Sequence, residues 1–538
     1  MAKFNTRAAR PTARGPVTTT GTTTTYEGGA AYARETKSDL VLLAVTNMVG
    51  EDTFYESAGD RDDRFATLVR AVAVDDPAWT AGFVAWLRTG AGMRSASLVA
   101  AAEAVDARLT AGLHGDNRQI VDAALHRPDE PGEFLAYWTA RHGRRIPKPV
   151  KRGLADAVQR LYSERALLKY DTGSKGYRFA DVIDLVHPSP ADGKPWQGDL
   201  FRHALDRRHN RDTELPAGLR TIAANTALRA DAAADPSVLL DADRLRAAGM
   251  TWEDVLSLAG SALPKARLWE SVAPSMGVMA LIRNLRNFDE AGVSDEAAEA
   301  IARRIGEPAT IAESRLFPYR FLSAYRAAPS LRWGHALDKA LAASCANVPA
   351  LPGRTLVLVD TSGSMQSCIS AKSVVRHVDI AALFAIVLAH RGAAVDLVGY
   401  ANGYFHHPLT PGGSVLRAID AFDRRIGEVG HGTETVAALK ATYEGHDRVV
   451  LISDMQAFHY PGAAGSGDGG RGVSVSEAIP AGVPMFGINT SGYAATGIDS
   501  SRPNRYEIGG FSDKLFTMMD LLGRGRDAGW PWESARKA

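Results

Sequence analysis

The sequence predicts a multidomain chain: an all-α part of stacked helix pairs, then a doubly wound α/β part built on a parallel sheet. Three observations predict this. With 538 residues, of which 45% are hydrophobic and 23% charged, the chain has an ordinary globular composition and is too long for one core. From Thr36 to Ser344, segments such as "DDRFATLVRAVAV", "SASLVAAAEAVDARL" and "MALIRNLRNF" space their apolar residues by three and four, the period of a helix face. After "ANVPALPG" the pattern changes to short, almost continuous apolar runs separated by helical stretches, as expected of strands buried on both faces of a parallel sheet.

Residues 1–28 form a basic, Thr-rich arm. Lys3, Arg7, Arg10 and Arg14 precede "TTTGTTTT", and Glu27 is the first acid. Such a segment offers too little apolar surface to fold and is expected to be disordered. Residues 29–350 form the helical domain. Pro77, Pro128, Pro131, Pro147, Pro149, Pro188, Pro190 and Pro264 divide it into short helices joined by turns, which favours stacked pairs over a bundle of long helices.

Residues 351–525 form the α/β domain. Its strands are read in "RTLVLVD", "AAVDLVGYA", "DRVVLISDMQAF" and "VPMFGINTSG", with helices such as "SAKSVVRHVDIAALFAIVLAHRG" and "TETVAALKATYEG" between them. The Gly-rich "GAAGSGDGGRG" follows Tyr460 and Pro461 and does not lead a strand into a helix, so it is expected to be a surface insertion and not a phosphate loop. Residues 526–538 form a Trp-containing tail.

Composition narrows the function. No apolar run approaches the length needed to cross a bilayer, and the N-terminus lacks the apolar segment of an export signal. The two cysteines, Cys345 and Cys368, make neither a disulfide framework nor a zinc set, so a reduced cytoplasm is expected. Net charge is only +1, yet the segment from Arg141 to Arg178 holds eleven Lys or Arg against three acids. Positive charge is concentrated there, around "RHGRRIPKPVKRG", where two prolines are expected to keep Arg144, Arg145, Lys148, Lys151 and Arg152 in a loop. Downstream, Lys169, Lys175 and Arg178 alternate with Tyr170, Tyr177 and Phe179, a mixture able to neutralise phosphates and stack unpaired bases.

The stretch "LVLVDTSGSMQS" carries the clearest chemistry. A buried strand runs out at Asp360, and Ser362 and Ser364 follow at alternate positions with Gly363 between them. Ligands of open parallel sheets bind beyond the carboxyl ends of the strands. Thr433 in "GHGTET" and Asp454 in "LISDMQ" stand at two further strand or helix ends. Each residue alone reads as a helix cap. Together they form a set of hard oxygen donors suited to Mg²⁺ or a similar divalent cation.

This order of D-x-S-x-S, Thr and Asp resembles the metal-ion-dependent adhesion site of von Willebrand factor A domains, a Rossmann-like fold. The resemblance implies that the hydroxyls hold the ion directly or through water, that the two aspartates hold coordinating waters, and that the ion can accept a partner's carboxylate. The helical part resembles the module shared by telomerase-associated, Ro and vault proteins, the TROVE module, in "EGGAAYARET", "MRSASLVAAAE", "LLKYDTGSKGYRFADVIDLVHPSP", "SVAPSMGVMALIRNLRNF" and, in the α/β part, "FGINTSGY". A TROVE module followed by an A domain resembles the Ro autoantigen family, in a bacterial-type member.

That resemblance implies a ring of HEAT-like helical repeats closed by the A domain. It implies binding of small structured Y-like RNAs on the outer face and of the single-stranded ends of misfolded noncoding RNAs at the central hole. Arg94, Lys169 and His187 match family RNA-contacting positions. The expected role is RNA quality control or service as an adaptor to an exoribonuclease, with no membrane and no DNA as partner. No G-x-S-x-G, H-E-x-x-H or Walker loop is present, so no catalytic activity is expected. The competing reading is a metal-dependent protein-interaction scaffold that binds no RNA.

Overall fold

The computed structural model describes residues 12–534 apart from 347, 392–393, 411–412 and 459–472. The Gly-rich segment at 462–472 lies outside the described residues. The chain divides into two compact units. One comprises Val69–Ser314 and Ala324–Leu337, and the other comprises the described residues up to Leu68, Arg315–Ser323 and those from Asp338 onward.

The helical unit is a succession of short helices, as the proline spacing predicts. Lys148–Leu161 shows how they are built: Val150, Gly153, Leu154, Ala157 and Val158 are buried at helical spacing, one apolar stripe on an otherwise polar helix. Gly153 is required there because a Cβ would stand 2.6 Å from the Arg118 carbonyl oxygen and 2.7 Å from the Val121 Cβ. The helix Asn117–Ala124 therefore packs against it at backbone distance.

The other unit is built on a six-stranded sheet. Its strands are labelled in chain order with those of a small second sheet: β1 Thr19–Thr24, β2 Ala30–Arg34, β3 Arg354–Asp360, β4 Ala394–Tyr400, β5 Tyr404–His407, β6 Arg448–Ser453, β7 Met485–Asn489, β8 Ala495–Thr496 and β9 Arg505–Gly509. The large sheet runs β5-β4-β3-β6-β7-β9, parallel throughout except for the antiparallel edge strand β5. β6 and β7 are buried along their whole length, and β3 everywhere but at Arg354, as the apolar runs predict. The helices His377–His390 and Thr435–Thr442 both pack on β3 and β4. Leu356 and Leu358 share one core cluster with Val398, Val436, Leu439, Val449 and Leu451.

Two expectations are corrected. The arm expected to be disordered over residues 1–28 folds in its described part: β1 pairs antiparallel with β2, and β2 pairs with β8, Tyr32 opposite Thr496. Its Thr run supplies β-branched side chains in place of apolar burial. The helical unit also does not run unbroken over residues 29–350: the residues up to Leu68, Arg315–Ser323 and those from Asp338 group with the sheet unit. Arg34 forms a buried pair with Glu507 of β9 at 2.6 Å, and Arg61 and Arg64 donate to the carbonyls of Ser491 and Gly492 at 2.9 and 2.7 Å. These ties anchor the N-terminal segment to the sheet. The tail is anchored too: Ala528 N donates to Arg14 O at 3.0 Å, and Trp530 and Trp532 are buried and stacked. Among the described residues no helix is long and apolar enough to cross a membrane.

Candidate metal centre and nucleic-acid interface

In the sheet unit β3 has β4 on one side and β6 on the other, so consecutive connections leave it in opposite directions. The carboxyl ends of β3 and β6 thus meet at the switch point where open α/β sheets bind ligands. Asp360 closes β3 and Asp454 follows β6, and both are fully buried. Asp360 Oδ1 accepts from Ser362 N at 2.9 Å, while Oδ2 accepts from Ser453 Oγ at 2.7 Å. Thr361 donates both its N–H and its hydroxyl to Tyr400 O, each at 2.8 Å, which fixes the turn after β3 against β4.

This turn presents Ser362 and Ser364 with their hydroxyl oxygens 3.2 Å apart. Gly363 N donates to His431 O at 2.9 Å, which brings in the loop that carries Thr433, itself buried. Asn402 Oδ1 holds that loop by accepting from His431 N and Gly432 N at 3.0 and 2.9 Å. Asp454 Oδ1 accepts from Gln456 N at 3.1 Å, but Oδ2 is buried without a partner. Met455, next to it, has φ +65, a strained value for this residue type that re-aims the chain just after the aspartate.

Two carboxylates buried within reach of each other's charge disfavour ionisation. Burial, and then the charge of Asp360, push the Asp454 carboxyl up to about 7. Burial also pushes Asp360 upward, against the hydrogen bonds from Ser362 and Ser453. An unpartnered buried oxygen, three hydroxyls and two carboxylates with raised pKa values fit a hard divalent cation. Each Asp360 oxygen accepts one hydrogen bond, which orients the carboxylate, so Ser362, Ser364, Thr433 and Asp454 Oδ2 would hold the ion with Asp360 beside them. Among the described residues no group of three or more His, Cys, Asp or Glu side chains could hold a metal ion, so a site here would draw on these hydroxyls. Sequence reasoning missed Ser453 and Asn402, which orient the donors; a Ser before an Asp at a strand end and an Asn in a loop carry no distinguishing signal.

In the helical unit the predicted RNA-binding residues separate into two sets. Arg94 is held by Asp129, Glu130 and Glu133, and Arg178 by Asp171 at 2.6 Å. Both arginines are neutralised internally. No carboxylate among the described residues pairs with Arg144, Arg145, Lys148, Lys151 or Arg152, nor with Lys169 or Lys175.

The prolines do not keep all of "RRIPKPVKR" in a loop. Pro147 precedes the helix Lys148–Leu161 and Pro149 occupies its first turn, where proline is tolerated because no N–H partner is lost. Lys148, Lys151 and Arg152 therefore stand at a helix N-terminus without an acid in the first turn. His187 is exposed and caps the helix Phe179–Val186 with φ +49.

Tyr170 lies between two cations, the Arg127 guanidinium 5.5 Å and the Lys169 ammonium 5.2 Å from its ring centre. It lines a cavity of about 590 Å³ with Arg127, Lys169, Trp252, Met279 and Arg283. It also lines a smaller cavity of about 70 Å³ with Lys175, Tyr177 and Arg178. Trp252 and Arg283 carry no signal of their own, because helices distant in the chain bring them to the cavity that Tyr170 lines.

Comparison with known proteins bears on both units. The TROVE domain model matches residues 243–332, which include Trp252, Met279 and Arg283 of the larger cavity. Telomerase protein component 1 of Mus musculus is 38% identical over 77 residues, 14% of this chain and 3% of that protein. Its Rattus norvegicus counterpart is 36% identical over 77 residues with the same coverage. The chain thus spans about 3% of the length of these curated relatives. The crystal structure of the Deinococcus radiodurans RO (RSR) protein superposes on 91% of this chain and 100% of its own, with a TM-score of 0.57 at 19% identity. Residues 243–332 thus match the TROVE domain, and the chain along nearly its whole length shares the fold of the Deinococcus radiodurans RO (RSR) protein.

Proposed function

We propose that the protein binds noncoding RNA through its helical unit and holds a divalent cation, Mg²⁺, in its sheet unit. The observation that carries the RNA reading is the uncompensated charge of Arg144, Arg145, Lys148, Lys151 and Arg152. Nearby Arg94, Arg118, Arg160 and Arg178 are all paired with carboxylates. Cations in the first turn of a helix oppose its dipole, while the free N–H groups there attract phosphate. An arrangement that costs stability in the free protein is resolved when a phosphate backbone occupies it. Tyr170 and the cavity beside it offer a stacking surface for an unpaired base, which favours RNA with single-stranded ends over blunt duplex.

The ligands this reading assigns are small Y-like RNAs and misfolded RNAs, and the role is RNA quality control or an adaptor to an exoribonuclease, without chemistry of its own. Direct titration of the full chain with RNA of the two end types, at several salt concentrations, tests it. End preference and salt dependence support the reading; binding that ignores salt overturns it. Pure protein free of nucleic acid that binds neither RNA would leave the scaffold reading in its place.

A further inference from the structure

The chain's own N-terminal segment is tied to the loops of the candidate metal site. The turn between β1 and β2 is tight: Thr25 N donates to Gly29 O at 2.9 Å and Gly28 N to Thr25 O at 3.1 Å. It is fixed to the residues just after Asp454. Tyr26 N donates to Gln456 Oε1 at 2.9 Å, and Thr25 Oγ1 donates to Ala457 O at 2.6 Å. Gly28 forms a β-bridge with Phe458, whose N–H donates to Thr433 O at 3.0 Å. A Cβ on Gly29 would stand 2.2 Å from Ala457 O, so the two backbones touch and only glycine fits. The turn is thereby joined to two of the three loops that carry candidate metal-site residues, those of Thr433 and Asp454.

At the tip of this turn stands Glu27. Its Oε1 accepts from the Tyr55 hydroxyl at 2.9 Å. Tyr55 is packed by Tyr26, Phe54 and Tyr493, with ring centres 4.5, 4.8 and 5.5 Å away. The same hydroxyl is acted on by the Ser364 hydroxyl and the Asp454 charge. The Tyr55 phenol therefore bonds the Glu27 carboxylate and feels two of the five candidate metal-site residues, of which Asp454 has its Oδ2 buried without a hydrogen-bond partner.

We propose that Glu27 supplies the carboxylate ligand of the bound ion from within the chain, so that the ion pins the β1–β2 turn to the carboxyl ends of β3 and β6. Tyr55 holds the carboxylate close by when no ion is present and releases it when the ion binds. A hydroxyl-rich site with few direct carboxylates leaves a divalent ion electrophilic, and a carboxylate already tethered nearby meets it at high effective concentration. A carboxylate from another protein must then displace Glu27 to reach the ion. The inference rests on the metal reading of Asp360, Ser362, Ser364, Thr433 and Asp454.

The test measures Mn²⁺ binding to the full chain by water-proton relaxation, for the parent, Asp360→Ala, Glu27→Gln and Tyr55→Phe. Glu27→Gln removes the charge but keeps an acceptor for the Tyr55 hydroxyl, whereas Tyr55→Phe removes the hydrogen bond and keeps the carboxylate; the effect of each on folding is read as melting temperature without ion. The expected result is one Mn²⁺ site that Asp360→Ala abolishes, that Glu27→Gln weakens about tenfold or more, and that Tyr55→Phe leaves within about twofold of the parent. Acetate added to Glu27→Gln should restore part of the affinity and do nothing for the parent. Equal Mn²⁺ affinity in Glu27→Gln and the parent overturns the inference while leaving the metal site standing, and so does an equal loss in Glu27→Gln and Tyr55→Phe. A parent that binds no ion dependent on Asp360 overturns both.

Discussion

Ser453, the last residue of β6, donates its hydroxyl hydrogen to Asp360 Oδ2 across to β3 at 2.7 Å, and accepts from Met455 N at 2.9 Å. One serine thus fixes the orientation of the buried carboxylate and the turn that aims Asp454. Ser453→Ala leaves a fully buried carboxylate oxygen without its donor, at a cost of about 1 to 3 kcal/mol in stability. The same change should weaken divalent-ion affinity about 10- to 100-fold, because it loosens a group that orients the donors. Chemical denaturation and Mn²⁺ titration check the two effects separately.

The ion should act more strongly at high pH. Burial and Asp360 hold the Asp454 carboxyl at about 7 in the ion-free fold, against an ordinary aspartate value of 3.8. Between those values the folded chain binds more protons than the unfolded one, so ion-free stability falls as pH rises through this window. The loss is absent below the ordinary value and complete above about 7. A divalent cation binds the deprotonated form and offsets the repulsion. The rise in melting temperature given by Mg²⁺ should therefore be larger above the window than below it. Asp454→Asn should remove this dependence and stabilise the ion-free protein at the alkaline end; a Mg²⁺ effect independent of pH contradicts the assignment.

Arg94 separates family resemblance from local structure. It reaches Asp129, Glu130 and Glu133, and Glu130 is fully buried. Arg94→Ala should destabilise the helical unit by about 1 to 3 kcal/mol, since it leaves charged acceptors partly unsatisfied. RNA affinity per folded molecule should change little, because the guanidinium carries no free charge to offer a phosphate. Thermal melting alongside RNA titration distinguishes this from a direct contact, which would lower affinity without lowering stability.

The grouping of Asp360, Ser362, Ser364 and Asp454 at the strand ends was legible because the signal is local: alternate side chains follow a continuous apolar strand, and Asp454 follows the next buried run. The helical character of the other unit was legible for the same reason. What escaped depended on distant partners. β9 reads "RYEIG", and nothing in it announces a buried strand, because Arg505 is buried by donating to the carbonyls of Ser476, Ile479 and Val483, and Glu507 by pairing with Arg34. β1 is a Thr run whose burial is replaced by pairing to β2. A count of basic residues could not tell Arg94 or Arg178 from Lys148, since the acids that neutralise the first two are brought in by folding.

The RNA surface makes a quantitative prediction. If Arg144, Arg145, Lys148, Lys151 and Arg152 neutralise about five phosphates of a single strand, log affinity plotted against log salt should slope by about −3.5. Reversing Arg144, Arg145 and Lys148 together should make the slope shallower by about 2 and weaken every RNA tested alike. Exposed Arg286 and Arg303, which pair with Glu290 and Glu299 on their own helices, are the matched control and should leave the slope unchanged. Arg304 is unsuitable for that purpose because it holds the carbonyls of Ala273 and Met276.

Tyr170→Ala should behave differently from the charge reversals. Loss of a stacking partner costs about 1 to 3 kcal/mol for RNA with an unpaired end, leaves the salt slope unchanged and has little effect on blunt duplex. Tyr177 donates its hydroxyl to Thr139 Oγ1 at 3.2 Å and lines only the smaller cavity, so Tyr177→Ala should lose less affinity than Tyr170→Ala. Fluorescence titration of both variants with overhang and blunt RNA of equal length decides the matter. Equal losses for the two RNAs in Tyr170→Ala would mean that the ring supports the cationic surface and does not stack on a base, and the cavity beside it would then have no part in reading RNA ends.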